Sequence, residues 1–257
     1  MDYQTLMGFV PIPNILESKR VLFVGPHPDD IEIACGGLVS ELVDLGIRVK
    51  FLIVTDGGAG ANEPISIEKI VKTRHEESIN AARFLKVESV EVLDFPDGGI
   101  YDIYEMAAEI AKRIIDFKPD TVICPDPLLE TETHLDHINC GRAAGFALVI
   151  SRFRNSALRH GIDIAKDLEL PKGMNLAYYY TTRHNSIIPV TRRNFEKKIE
   201  SIQLHKSQID SSFESIKMYL YFKATTLGQE IGSKYAEGYF VMSPMHQHCF
   251  LEKIWKW

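Results

Sequence analysis

Residues 20–46 read RVLFVGPHPDDIEIACGGLVSELVDLG, and this stretch decides the architecture. Its first five residues are an apolar run that stops at Gly25, the pattern of a short buried strand. From residue 32 the apolar positions recur at helical intervals and end at Gly46. The alternation continues outward. Strands are predicted over 49–54, 89–93 and 121–124, and helices over 66–86, 101–117 and 137–150. Strand and helix alternating at this pace require right-handed crossovers, so the fold class is α/β with a mainly parallel sheet.

After about residue 155 the rhythm weakens. An aromatic strand is predicted over 176–182, LAYYYTT, and helices over 192–209 and 212–231. No Pro/Ser-rich linker, repeat or low-complexity tract interrupts the chain. It reads as one domain, residues 1–257, with a core over roughly 20–150 and an elaboration over roughly 151–257. At 257 residues, 45% apolar and 25% charged, the chain can bury a full core. A net charge of −6 offers no basic surface for phosphates, so no nucleic-acid partner is expected. No apolar run reaches the 18 residues of a membrane helix, and no membrane partner is expected. The first residues lack a basic segment followed by an apolar one, and the four cysteines are far apart without a CxxC pair. Both features point to a cytoplasmic protein.

Polar residues concentrate in two segments. Gly25-Pro-His-Pro-Asp-Asp30 follows the first strand, and Pro125-Asp-Pro-Leu-Leu-Glu-Thr-Glu-Thr-His-Leu-Asp-His137 follows the fourth. Ligands bind outside the carboxyl ends of the strands of open parallel sheets, and both segments belong there. Asp29 and Asp30 repel one another unless a cation or a shared proton relieves them. His134 and His137 share one helical face. Imidazole and carboxylate ligands suit zinc, and a catalytic zinc takes three protein ligands. One His and one Asp from the first loop and one His from the second fill that count, leaving one Asp and one His for chemistry. Either segment alone would also serve as a helix cap or a solvated surface. GGAGAN at 57–62 lacks the Lys-Ser/Thr of a phosphate-binding loop, and no GxGxxG follows the first strand, so a nucleotide site is not expected.

At these residues the chain resembles the LmbE-like, PIG-L-like family of zinc-dependent de-N-acetylases. The family's His-Pro-Asp-Asp block and following Gly pair are seen in PHPDDIEIACGG, residues 26–37. Its His-Pro-Asp-His motif is similar to His134-Leu135-Asp136-His137, with Leu135 in place of the usual Pro. Thr55-Asp56-Gly57-Gly58-Ala59-Gly60, Arg74-His-Glu-Glu77, Phe95-Pro-Asp-Gly-Gly-Ile100 and Tyr235-Ala-Glu-Gly-Tyr239 resemble further family segments. The likeness is close over 20–145 and weak over 150–230.

The resemblance implies a Rossmann-like three-layer sandwich with the active site at the C-terminal strand edge. It implies that His27, Asp30 and His137 hold a divalent metal. Zinc is expected, though the same donors suit ferrous iron. Asp29 would be the general base, His134 the oxyanion or leaving-group residue, and Asp136 the carboxylate that orients His134. Arg74 and Asp97 would bind substrate or steady the site, and His248, with His246 as its competitor, would contact substrate. In some relatives such a late residue reaches a neighbouring subunit, so a homo-oligomer, a trimer or hexamer, is implied. The substrate implied is an N-acetylated sugar. A larger thiol-sugar amide, or a non-catalytic metal-containing sugar-binding protein, are the competing readings.

Overall fold

The opening run forms strand β1 (Arg20–Gly25), and the helix after it is α1 (Asp30–Asp44). The computed structural model describes residues 10–61, 64–209 and 212–247. Four further crossover elements follow as β2 (Arg48–Thr55), α2 (Ile67–Phe84), β3 (Ser89–Phe95) and α3 (Ile103–Phe117). Then come β4 (Thr121–Pro125), α4 (Leu135–Arg152), the short α5 (Arg154–Arg159) and β5 (Asn175–Tyr179). The second half closes with β6 (Ser186–Val190), α6 (Arg192–Ile202), α7 (Lys206–Ile209), α8 (Phe213–Glu230) and β7 (Tyr235–Met242).

The strands join in the order β3-β2-β1-β4-β5-β7-β6. β1 to β5 run parallel, and β7 is antiparallel to both β5 and β6. Successive strand residues point to opposite faces, which sorts the core into two layers. Val21 and Phe23 pack with Ile31, Cys35 and Leu38 of α1. Leu22 and Val24 pack with Met106 and Ile110 of α3 and Ala143 and Ala147 of α4. The result is the expected α/β/α sandwich. Cys35, Cys124 and Cys140 are buried free thiols, in line with a packing role. Among the described residues no helix is long and apolar enough to cross a membrane.

The second half departs from the sequence reading in three places. The helix expected over 192–209 breaks at Gln203, because the turn brings the fully buried His205 within 3.4 Å of Glu32 on α1. The strand expected over 176–182 ends at Tyr179, and Tyr180 has φ 50°. β6 and β7 are additional. Pro189 and Gly238 lie inside them and break the usual strand pattern, which an edge strand such as β6 tolerates.

The Gly36-Gly37 pair has a packing reason. A Cβ on Gly36 would stand 2.9 Å from Lys198 Cγ, and one on Gly37 would stand 2.8 Å from Glu237 Oε1. α1 therefore lets α6 and β7 approach its backbone. Glu237 is buried and accepts hydrogen bonds from Lys198 Nζ at 2.5 Å, Leu38 N at 2.8 Å, Gly37 N at 3.2 Å and Tyr239 OH at 2.7 Å. Removing one member of a buried ion pair strands the other charge. Glu237→Ala is expected to lower unfolding free energy by about 3–5 kcal/mol in urea titration. Replacing Lys198 and Glu237 together with Met and Leu is expected to cost clearly less than the single change.

Candidate active site

The strand order reverses beside β1, with β2 on one side and β4 on the other. At such a switch point the crevice between diverging loops is the natural ligand site. The loops after β1 and β4 meet there, and those after β2 and β3 close around them. Thr55 secures the first loop, donating from its backbone N at 3.1 Å and its Oγ1 at 2.7 Å to Pro26 O.

Asp29 ends that loop at φ 129°, ψ −29°, a conformation that L-residues rarely adopt. Holding it there costs about 1–3 kcal/mol. Arg74, buried on α2, supplies the restraint. Its Nη2 donates to Pro28 O at 3.0 Å and lies 3.5 Å from Asp29 Oδ2. Its Nη1 donates to Gly57 O at 2.9 Å and lies 3.4 Å from Asp97 Oδ2. These contacts tie the loops after β1, β2 and β3 to α2.

His27 Nδ1, Asp30 Oδ2 and His137 Nε2 converge. Asp30 Oδ2 is 3.1 Å from His27 Nδ1 and 3.4 Å from His137 Nε2, and the three donor atoms lie within 4.8 Å of one another. Ligands at zinc-like bond lengths of about 2.0–2.1 Å in a tetrahedron stand roughly 3.3 Å apart. The donor set thus fits a divalent metal in both chemistry and spacing.

The remaining ring nitrogens face carboxylates, as the outer contacts of metal-ligating histidines do. His27 Nε2 is 3.2 Å from Asp136 Oδ2 and 3.1 Å from Asp97 Oδ1, while His137 Nδ1 is 2.9 Å from Glu132 Oε2. Asp136 is itself fixed by Gly98 N at 2.8 Å and Tyr101 OH at 2.5 Å. Gly98 can present that N–H because it takes φ +64°, which glycine adopts without strain. Tyr180 OH lies 3.3 Å from Asp30 Oδ1, and its ring stacks on His137 at 5.9 Å between centroids.

Electrostatics follow from this crowding. Burial disfavours a charged His27, but the carboxylates of Asp136, Asp30 and Asp97 outweigh it and push its pKa up to about 12. Burial and the neighbouring Asp30 raise Asp29 to about 7, against the pull of Arg74. Burial would also raise Asp30, yet His137 and His27 hold it well below the usual carboxylate range. These values describe the protein groups by themselves. A bound cation would displace the shared protons and keep Asp29 ionised.

His134 is half exposed, and its ring centroid lies 4.6 Å from that of His27. It lines a cleft of about 240 Å³ with Asp29, Arg74, Asp97 and Gly60. Eight of the nine residues expected at the site are thus brought together. Asp136 differs from expectation. Its carboxylate stands 4.0 Å from His134 Nδ1, beyond hydrogen-bond reach, because it turns inward from the first turn of α4 toward His27. The carboxylate faces His27 Nε2, and only the Asp136 backbone N–H, at 3.3 Å, reaches His134 Nδ1. His248 lies outside the described residues. His246, its competitor, follows β7, whose Met242 pairs with Leu176 at the start of β5, so it sits at the opposite sheet edge. Sequence reasoning missed Tyr101, Glu132 and Tyr180. Glu132 lay in the quoted second loop and Tyr180 in the aromatic run, whereas Tyr101 carried no local signal.

Residues 22–148 match the family described as PIG-L: GlcNAc-PI de-N-acetylase. The chain is 33% identical over 227 residues to the diacetylchitobiose deacetylase of Thermococcus kodakarensis, covering 86% of this chain and 82% of that protein. It is 26% identical over 202 residues to the "Probable N-acetyl-alpha-D-glucosaminyl L-malate deacetylase 2" of Bacillus cereus, covering 76% and 86%. The solved structure of N,N'-diacetylchitobiose deacetylase from Pyrococcus horikoshii superposes with a TM-score of 0.83 at 29% identity, covering 98% of this chain and 91% of that one.

Asp136→Asn keeps the shape of the side chain but leaves His27 Nε2 without that carboxylate. Loss of such an outer contact is expected to weaken metal affinity by about 10–100-fold, measured by competition with a chromophoric chelator. Unchanged affinity would remove Asp136 from the metal site.

Proposed function

The chain belongs to the PIG-L family of de-N-acetylases, and from that premise we propose that it is a zinc-dependent hydrolase removing the acetyl group from an N-acetylated amino sugar. One observation carries the reading at this site. The His27-Asp30-His137 donor set stands beside a second carboxylate, Asp29, which takes no part in it. A degenerate binding protein would have no need to hold that carboxylate in a strained backbone.

A divalent metal, when bound, supplies a Lewis acid for the amide carbonyl and an acidified water. Asp29 accepts the proton of the attacking water as the tetrahedral centre forms. Burial and its tie to Arg74 hold the carboxylate at the cleft wall, so little reorganisation is needed. His134, on the same wall, donates to the developing oxyanion or passes a proton to the leaving amine. Its exposure leaves it free to meet substrate. Asp97 fixes His27 and Arg74 together, which explains its place in the site without a substrate contact. A homo-oligomer is part of the proposal. Gln247, immediately before His248, donates to Met174 O ahead of β5, away from this chain's own site. His248 would then serve the site of a neighbouring copy.

Acetate release from N-acetylglucosamine derivatives by metal-loaded protein tests the reading. Asp29→Asn is expected to abolish release while retaining the metal. His134→Ala is expected to lower kcat by about 10²–10³-fold, the usual loss for an oxyanion donor, again with metal retained. His137→Ala is expected to lose the metal itself. Metal loss on His134→Ala would exchange the roles of the two histidines, and release that survives Asp29→Asn would remove the proposed base.

A further inference from the structure

A second space opens on the other side of the metal ligands. It measures about 680 Å³ and is bounded by His137, the loops after β4 and β5, and helix α8. The proposed mechanism uses nothing in it beyond His137. Tyr219 and Phe222 of α8 stand 59% and 70% exposed on its wall, offering aromatic faces of the kind that stack on the C–H face of a sugar.

The charges in this space are unevenly matched. Glu132 faces His137 Nδ1 at 2.9 Å, and Glu230 faces His184 Nε2 at 3.9 Å. Lys223, half-buried on α8, has no such partner: among the described residues no carboxylate oxygen lies within 4.0 Å of its Nζ. Its ammonium stands 6.0 Å from the centre of the Tyr180 ring, the ring that stacks on His137. Glu237 acts on it electrostatically, but that carboxylate already accepts from Lys198, Tyr239 and two backbone N–H groups. Burial, reinforced by Lys198, lowers the pKa of Lys223 and outweighs the opposing pull of Glu237. An anion entering the space would supply the missing charge.

We propose that this space receives the substituent on the anomeric carbon, which adjoins the acetamido-bearing carbon, and that Lys223 selects a substituent bearing a carboxylate or phosphate. The proposal rests on the deacetylase reading for where the acetamido group sits. With that group on the metal side of His137, a substituent on the adjoining anomeric carbon is within reach of the far side of the same imidazole. Tyr219 and Phe222 then pack its apolar portion, and Lys223 meets its charge.

Equilibrium binding of deacetylated products, which the enzyme does not turn over, tests this directly. The probes are methyl glucosaminide, chitobiose, glucosamine 1-phosphate and a carboxymethyl glucosaminide, titrated calorimetrically against the metal-loaded protein. At least one anionic probe is expected to bind about tenfold or more tighter than methyl glucosaminide, with the difference shrinking as salt rises. The phosphate and carboxylate arms identify the anion. Lys223→Met is expected to bring that ratio to about one, and Lys223→Arg to preserve it. Equal binding of charged and neutral probes by the wild type, tighter binding of chitobiose, or a ratio unchanged in Lys223→Met would overturn the proposal. Acetate release from the matching N-acetylated compounds runs in parallel. Absence of release with the anion preference intact sinks the deacetylase reading alone, and release without the preference sinks the role of Lys223 alone.

Discussion

The imidazole of His27 is held between carboxylates on both of its ring nitrogens, and the geometry of the site depends on that arrangement. Nδ1 faces Asp30, while Nε2 faces Asp136 and Asp97. A ring nitrogen can carry a proton or a metal, not both. With a metal bound, the carboxylates on the Nε2 side would keep the proton there and leave the Nδ1 lone pair for the metal between Asp30 and His137. Three segments contribute: the loop after β1 brings His27, the loop after β3 Asp97 and the first turn of α4 Asp136. A shift of any one of them would change which nitrogen is available.

Arg74 performs the corresponding service for Asp29. A buried guanidinium with donors in a rigid fork can hold two loops and two carboxylates at once. Its bonds to Pro28 O and Gly57 O tie the backbones of the first and second loops together. The same charge stands beside Asp29 and Asp97. The strained backbone at Asp29 persists because its surroundings over-determine it. Behind this, the Lys198-Glu237 pair seats α6 and β7 against the glycines of α1, so the helix that carries Asp30 is anchored from its far side.

Much of the site could be read in short segments because its chemistry is local. His27, Asp29 and Asp30 lie within four residues where β1 turns into α1, and His134, Asp136 and His137 lie at the start of another helix. Residue type and spacing carry that information, and the resemblance to a family assigned the roles. The partners of the Asp136 carboxylate were not legible. The neighbour in sequence is His134, but the neighbours in space are Tyr101, Gly98 and His27. Tyr101 stands at the start of a helix with nothing around it to mark it. Lys223 was likewise one of two lysines on its helix, with nothing beside it to single it out.

The sequence by itself determined the parallel core and the pair of loops that carry the His/Asp cluster, because apolar periodicity and loop composition are local properties of the chain. Only the tertiary structure decided the antiparallel β7-β6 edge, the inward turn of His205, the orientation of Asp136 and the space in front of Lys223. Each of these depends on contacts between residues far apart in the chain. Whether a polar side chain is paired, strained or left facing a cavity is set by the packing of several elements at once, which no window of sequence contains.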